Sequence, residues 1–116
     1  MQRLLFFSFL ITFGMACSSE NVQELQDPCD ARDAAYTDDV EALLKTNCAT
    51  AGCHGGPNGV GGLDLNTYAS AKEIADNGKL MDRITGAGNI MPPSGPMPNC
   101  DIERIRAWVN QGAPNN

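Results

Sequence analysis

Cys48-Ala49-Thr50-Ala51-Gly52-Cys53-His54 decides how this chain is to be read. Two thiols are followed at once by an imidazole. Thiols at this kind of spacing can add to the two vinyl groups at one edge of a haem. The next residue then lies under the ring, where its imidazole reaches the iron. The common attachment spacing is C-x-x-C-H; here the gap is four residues, C-x4-C-H. The same residues admit two other chemistries. One is a Cys48–Cys53 disulfide in an exported protein, with His54 an ordinary loop residue. The other is structural zinc. Zinc fits poorly, because Cys53 and His54 are adjacent and hard to aim at one tetrahedral centre. His54 is also the only His in the chain, and no second Cys pair supplies the remaining ligands.

On the N-terminal side, a helix is expected from Thr37, which can cap it. Asp38, Asp39 and Glu41 sit in its first turn, where the helix dipole favours acids, and Val40, Leu43, Leu44 and Asn47 share a face. It runs into Cys48. On the C-terminal side, residues 55–66 form a Gly-rich loop. A second helix starts at Asn66 or Thr67 and stops at Gly78, with Tyr68, Ala71, Ile74 and Ala75 on one side. A short helix follows through Leu80, Met81 and Ile84, ended by Gly86 and Gly88. Met91-Pro92-Pro93-Ser94-Gly95-Pro96-Met97-Pro98 excludes regular helix and central strand. Asn99 then caps a last helix, with Ile102, Ile105, Trp108 and Val109 as its stripe and Gly112 as its end. No strand pattern and no internal repeat appear. The fold class expected is all-α with long loops.

The N-terminus reads as an export signal. Met1-Gln2-Arg3 is basic, Leu4 to Phe13 is apolar, and Gly14-Met15-Ala16 precedes Cys17. The run is short of the ~20 residues a spanning helix needs. Small residues directly before a Cys resemble a bacterial lipobox, although Gly14 departs from the usual apolar residue. The expectation is a signal peptide over 1–16, acylation of Cys17, a polar lipid-anchored tether over 17–30 and a folded domain over 31–116. The alternative is simple cleavage near Ala16.

Composition narrows the function. The 116 residues carry 8 Lys+Arg against 14 Asp+Glu, a formal charge of −6. That excludes the basic footprint of a nucleic-acid binder. Residues 17–116 hold 7 Lys+Arg against the same 14 acids, for −7, and only Tyr36, Tyr68 and Trp108 as aromatics. A domain so small has a marginal core of its own. Disulfides, a metal or a large apolar cofactor are expected to supplement it.

The order helix, Cys-x4-Cys-His, loops, Met-Pro-Pro, and a last helix ending in Gly112-Ala113-Pro114 resembles the class I cytochrome c family. The likeness is to its small bacterial monohaem lipoprotein domains and covers about residues 37–113. It implies three to four short helices wrapped around one covalent haem c. It implies thioethers at Cys48 and Cys53, a proximal iron ligand at His54 and a distal ligand at Met91. Met97 and Met81 compete for the distal place; otherwise Met81 fills core and Met97 is a loop residue packing the haem edge. Trp108 is expected near the haem or between the terminal helices. Tyr68 reads as core more readily than as a haem-propionate partner. Family members carry Gly-Pro-x-Leu after the His, whose carbonyl orients the imidazole. Here the nearest stretch is Gly61-Gly62-Leu63, so that carbonyl is unassigned. In the family fold the terminal helices pack together, which implies a Cys29–Cys100 disulfide worth roughly 4 kcal/mol in the chain-entropy model.

The function expected is single-electron transfer between redox proteins on the periplasmic side of the membrane, not enzymatic turnover. Acidic residues would steer a basic docking patch on a partner. Two alternatives stay open. One is a haem-based ligand sensor with Met91 displaceable. The other is a haem-free, disulfide-bonded lipoprotein acting as a binding module.

Overall fold

The computed structural model describes residues 29–116, and every element within them is helical. The leader reading over 1–16, Cys17 and the tether as far as residue 28 lie outside the described residues. A π-helical turn, Tyr36–Val40, leads into α1, Glu41–Asn47. Then come a single 3-10 turn at Val60–Gly62, α2 (Tyr68–Asp76), α3 (Lys79–Thr85) and α4 (Asn99–Asn110). None of these helices is long and apolar enough to cross a membrane.

Two of the expected caps are corrected. Thr37 does not cap the first helix, because the coil begins two residues earlier, at Tyr36 after Ala35. The orphan Ala35 amide instead donates to the Asp39 carboxylate at 2.9 Å, and the Thr37 hydroxyl donates to the Asn116 carbonyl. Asn99 does not cap α4. It is already the first helical residue, and Pro98 precedes it with no side-chain cap. Thr67 does cap α2, accepting from the Ser70 amide. Gly78 and Gly86 both take left-handed φ, at 81° and 79°, which separates α2 from α3 and ends α3.

The core is built from both ends of the chain. Val40, Leu44, Ile105 and Trp108 are fully buried, and Tyr36 stacks near Trp108 with ring centroids 5.5 Å apart. Trp108 thus lies between the terminal helices. Its indole N–H donates to the Pro114 carbonyl, and Tyr68 O–H donates to Ala113 O at 2.8 Å. The chain's C-terminal segment therefore closes over the first helix. Tyr36 N donates to the Asn116 side chain at 3.0 Å. A disulfide joins Cys29 to Cys100 in the first turn of α4, with Cα atoms 4.9 Å apart across 71 residues of chain. Elsewhere α2 packs on α3 and α3 on α4. What remains between α1, α2, α3 and the loops is a cleft.

Candidate functional site

α1 delivers the first site residue. Its last turn closes with the Cys48 amide on Leu44 O at 2.9 Å, which carries Cys48 inward to 7 % exposure. The chain then doubles back: Cys53 N donates to Thr50 O, and His54 N to Cys48 O, both at 3.0 Å. Cys53 ends up exposed beside its buried partner, and the two remain thiols, not joined to each other. Burial, and secondarily the neighbouring Cys53, push the Cys48 thiol up to about 11.

The Gly-rich loop shapes the imidazole. Val60 N donates to Cys53 O at 2.7 Å and Leu65 N to His54 O at 2.8 Å, so the loop is pinned on both sides of His54. Its bend puts the Val60 carbonyl 3.0 Å from His54 Nδ1. A carbonyl only accepts, so Nδ1 carries the proton of this bond, and in the neutral ring Nε2 is then the nitrogen with the lone pair. This is the orienting carbonyl that the sequence left unassigned. No Pro marks it. The available signal was the density of glycines between 55 and 62, which permits so tight a return. Gly59 is the clearest case: a Cβ there would run into the Leu63 carbonyl oxygen. Asp64 ties the loop from outside, accepting from Gly56 N at 2.9 Å and Asn66 N at 3.0 Å. These backbone N–H bonds, that of Asn66 first, hold its carboxyl below the ordinary carboxylate range.

Met91 arrives from the opposite wall. Its amide donates to the Arg83 carbonyl at the end of α3, 3.0 Å away, and prolines 92 and 93 follow at once. The cleft has two adjoining cavities, of about 260 and 190 Å³, and Cys48, His54, Val60 and Met91 line both. The smaller one adds Cys53, Pro92 and Pro93. The larger one adds apolar wall from Leu63, Ile74, Leu80 and Ile84, and polar groups from Lys79 and Arg83. Together they fall within the volumes of small-molecule and cofactor sites, roughly 300–1,000 Å³.

The structure thus brings Cys48, Cys53, His54 and Met91 to one cleft, the first and last of them 43 positions apart. It does not bring Met97, which is buried in the core at 4 % exposure, nor Met81, which packs against the core from α3. Trp108 and Tyr68 line neither cavity. Among the described residues, no three of His, Cys, Asp and Glu converge as a metal-ion site. Chemically, the cleft offers one imidazole lone pair, one thioether, two thiols and an apolar wall. Comparison with family models, with curated proteins and with solved structures gave no match.

Proposed function

We propose that this protein is a monohaem c-type cytochrome that passes single electrons between redox partners outside the cytoplasmic membrane. One observation carries the reading most: His54 Nδ1 is engaged by the Val60 carbonyl at 3.0 Å, which leaves Nε2 as the ring nitrogen without a protein partner in the cleft that Met91 also lines. The residues fit the group. Cys48 and Cys53 would hold it by thioethers, His54 would bind its iron from one side and Met91 from the other. When bound, haem supplies an iron that gains or loses one electron without a change of bonded partners.

The chain's own residues then have definite work. The Val60 carbonyl raises the basicity of Nε2 by accepting from Nδ1 and fixes the ring's orientation. The Met91 sulfur is a weak donor that favours the reduced state relative to a second imidazole. Arg83 and the prolines hold the Met91 backbone, so little entropy is lost on ligation. Leu63, Ile74, Leu80 and Ile84 line the larger cavity and would give the ring an apolar wall. The all-α chain would then wrap its helices around one cofactor in the manner of class I cytochromes c.

Location and partners follow from the same reading. Acylation of Cys17 would tether residues 29–116 to the outer face of the membrane. Residues 46–63 and 86–100 contain no Asp, Glu, Lys or Arg, so the rim beside Cys53 and Pro93 is uncharged. The acids lie elsewhere and would act at longer range on a partner's basic patch.

The test is direct. The full chain is expressed with export and haem-attachment machinery, denatured, and examined by haem stain and reduced absorption spectrum. Retained haem is the expected result. His54→Ala, or Cys48→Ala with Cys53→Ala, abolishes the colour. Met91→Ala keeps the covalent haem but lets carbon monoxide bind. A wild-type chain that carries no haem overturns the reading.

A further inference from the structure

The two ends of the cleft differ in chemistry. The exposed thiol marks one end: Cys53, Pro92 and Pro93 line only the smaller cavity, while Cys48 lines both. The larger cavity has no thiol beyond the shared Cys48 and no carboxylate at all, yet Lys79 and Arg83 open onto it. In a chain of net charge −6 this is a local reversal of sign. Among the described residues, neither cation is matched by an acid. Lys45, Lys72 and Arg106 are ion-paired with Glu41, Asp76 and Glu103. Lys79 and Arg83 have no ion pair among the described residues. They sit four positions apart on α3, so both project from one side of that helix.

Arg83 is seated as well as charged. One guanidinium nitrogen donates to the Asn89 carbonyl at 3.3 Å, and a Cβ on Gly88 would stand 3.3 Å from that same nitrogen. The Gly88–Asn89 turn thus holds the head group beside the cavity. The main chain of Arg83 meanwhile accepts from Met91 N. One residue therefore ties the cationic end to the thioether. Tyr68, the other residue considered for such a role, has its hydroxyl committed to Ala113 O.

We infer that Lys79 and Arg83 form a clamp for two carboxylates, which on the haem reading are the propionate groups of the ring. The inference rests on that reading. A haem carries its vinyl groups and its propionates at opposite edges. Fixing the vinyl edge at Cys48 and Cys53 therefore directs the propionates towards the other end of the cleft, where the cations are. The clamp sets which way the ring enters. It also stabilises ionised propionates, since a cation within roughly 4–6 Å lowers a carboxyl pKa by about 1–3 units. The only other ionisable side chains lining that cavity are Cys48 and His54.

The test uses the haem-loaded full chain and reads its midpoint potential against pH. In Lys79→Gln/Arg83→Gln the potential at pH 7 falls, because two positive charges that disfavour oxidation are gone. The propionate inflection moves up by about one unit or more, a tenfold or greater loss of acidity. Lys79→Arg/Arg83→Lys keeps the wild-type curve. Lys45→Gln, the same charge change on α1 and outside both cavities, leaves the inflection in place. Circular dichroism checks the fold. If the double variant does not fold, Lys79→Gln alone, at an exposed side chain, shows a smaller shift of the same sign. Normal haem attachment with an inflection that stays at the wild-type pH in both Gln variants overturns the clamp and leaves the cytochrome reading standing. An inflection moved equally by Lys45→Gln does the same. A wild-type chain without haem overturns the cytochrome reading instead, and the stain distinguishes the two failures.

Discussion

Gly59→Ala is the sharpest single perturbation of this site. Gly59 has an ordinary φ of −56°, so alanine meets no backbone penalty there. The cost is steric. The new Cβ would overlap the Leu63 carbonyl oxygen and lie 3.1 Å from its carbon and 3.2 Å from Gly56 O. All three are main-chain atoms, which cannot swing aside as a side-chain end would. Either the Leu63 peptide or the Gly59–Val60 peptide must turn. Overpacking of this kind costs about 1–3 kcal/mol. Loss of the Val60 carbonyl from His54 Nδ1 adds about 0.5–1.5 kcal/mol. A total near 3 kcal/mol corresponds to a fall of roughly 12–24 °C in Tm for a domain of this size. Thermal melts followed by circular dichroism read the stability. A nitrogen-edited NMR spectrum reads the His54 Nδ1–H, which should exchange faster once its acceptor has moved. Asn58→Ala, exposed in the same loop, is the control and should stay within about 0.5 kcal/mol. A Gly59→Ala protein that melts within 2 °C of wild type, with the Nδ1–H signal unchanged, refutes the argument that Gly59 lets Val60 hold the imidazole.

Cys29→Ser/Cys100→Ser opens a loop of 71 residues and should destabilise by roughly 4 kcal/mol in the chain-entropy model, measured by urea denaturation. A loss below about 1 kcal/mol would mean that the first helix and α4 constrain each other without it. In the haem-free chain at pH 8, iodoacetamide should label exposed Cys53 much faster than Cys48, whose pKa of about 11 leaves little thiolate. The sign of the linkage is fixed by the upward shift: the Cys48 contribution to stability is intact below the ordinary thiol pKa and fades as pH rises towards 11. Equal labelling rates by mass spectrometry would contradict this. Asp64 has the opposite sign. Its lowered pKa stabilises the fold above the ordinary carboxylate range, and that contribution disappears as pH falls through the folded value. Asp64→Asn should therefore lower Tm at pH 6 and flatten its fall towards pH 3; parallel Tm profiles for the two proteins would refute the role.

The parts legible in sequence were those set by local patterning. The apolar stripes of α1 and α4, the Thr67 cap and the breaks at Gly78 and Gly86 all follow from residues within a turn or two of one another. The cap at Thr37 was misread because its competitor is distant: Asn116 captures the Thr37 hydroxyl and the Tyr36 amide from 79 and 80 residues away. No local rule foresees such a partner. The same holds for the orienting carbonyl. Val60 acts through its backbone, and a backbone oxygen leaves no mark on residue identity. Cys48, Cys53, His54 and Met91 were legible as residue types, whereas their common cleft depends on α3 placing Arg83 O under Met91.

That placement changes what a cofactor has to contribute. Residues 17–116 hold no Phe, which suggests a core that a disulfide, a metal or a large apolar cofactor must supplement. Yet Tyr36, Leu44, Ile105 and Trp108 are buried against one another by protein alone, and Trp108 stands clear of the cleft. The core and the disulfide fasten the terminal helices to each other. The cleft shares Cys48, Leu65, Leu80 and Ile84 with that core, but its outer walls are α2, α3 and two uncharged loops whose own contacts are mostly backbone hydrogen bonds. Stabilisation by a bound group should therefore be local to α2, α3 and the Met91 loop. Hydrogen exchange separates the two regions: amides of α1 and α4 should be protected with or without haem, while those of α3 and residues 86–95 should gain protection when it is attached. Uniform protection across all four helices on haem attachment would mean that the core and the cleft fold as one unit.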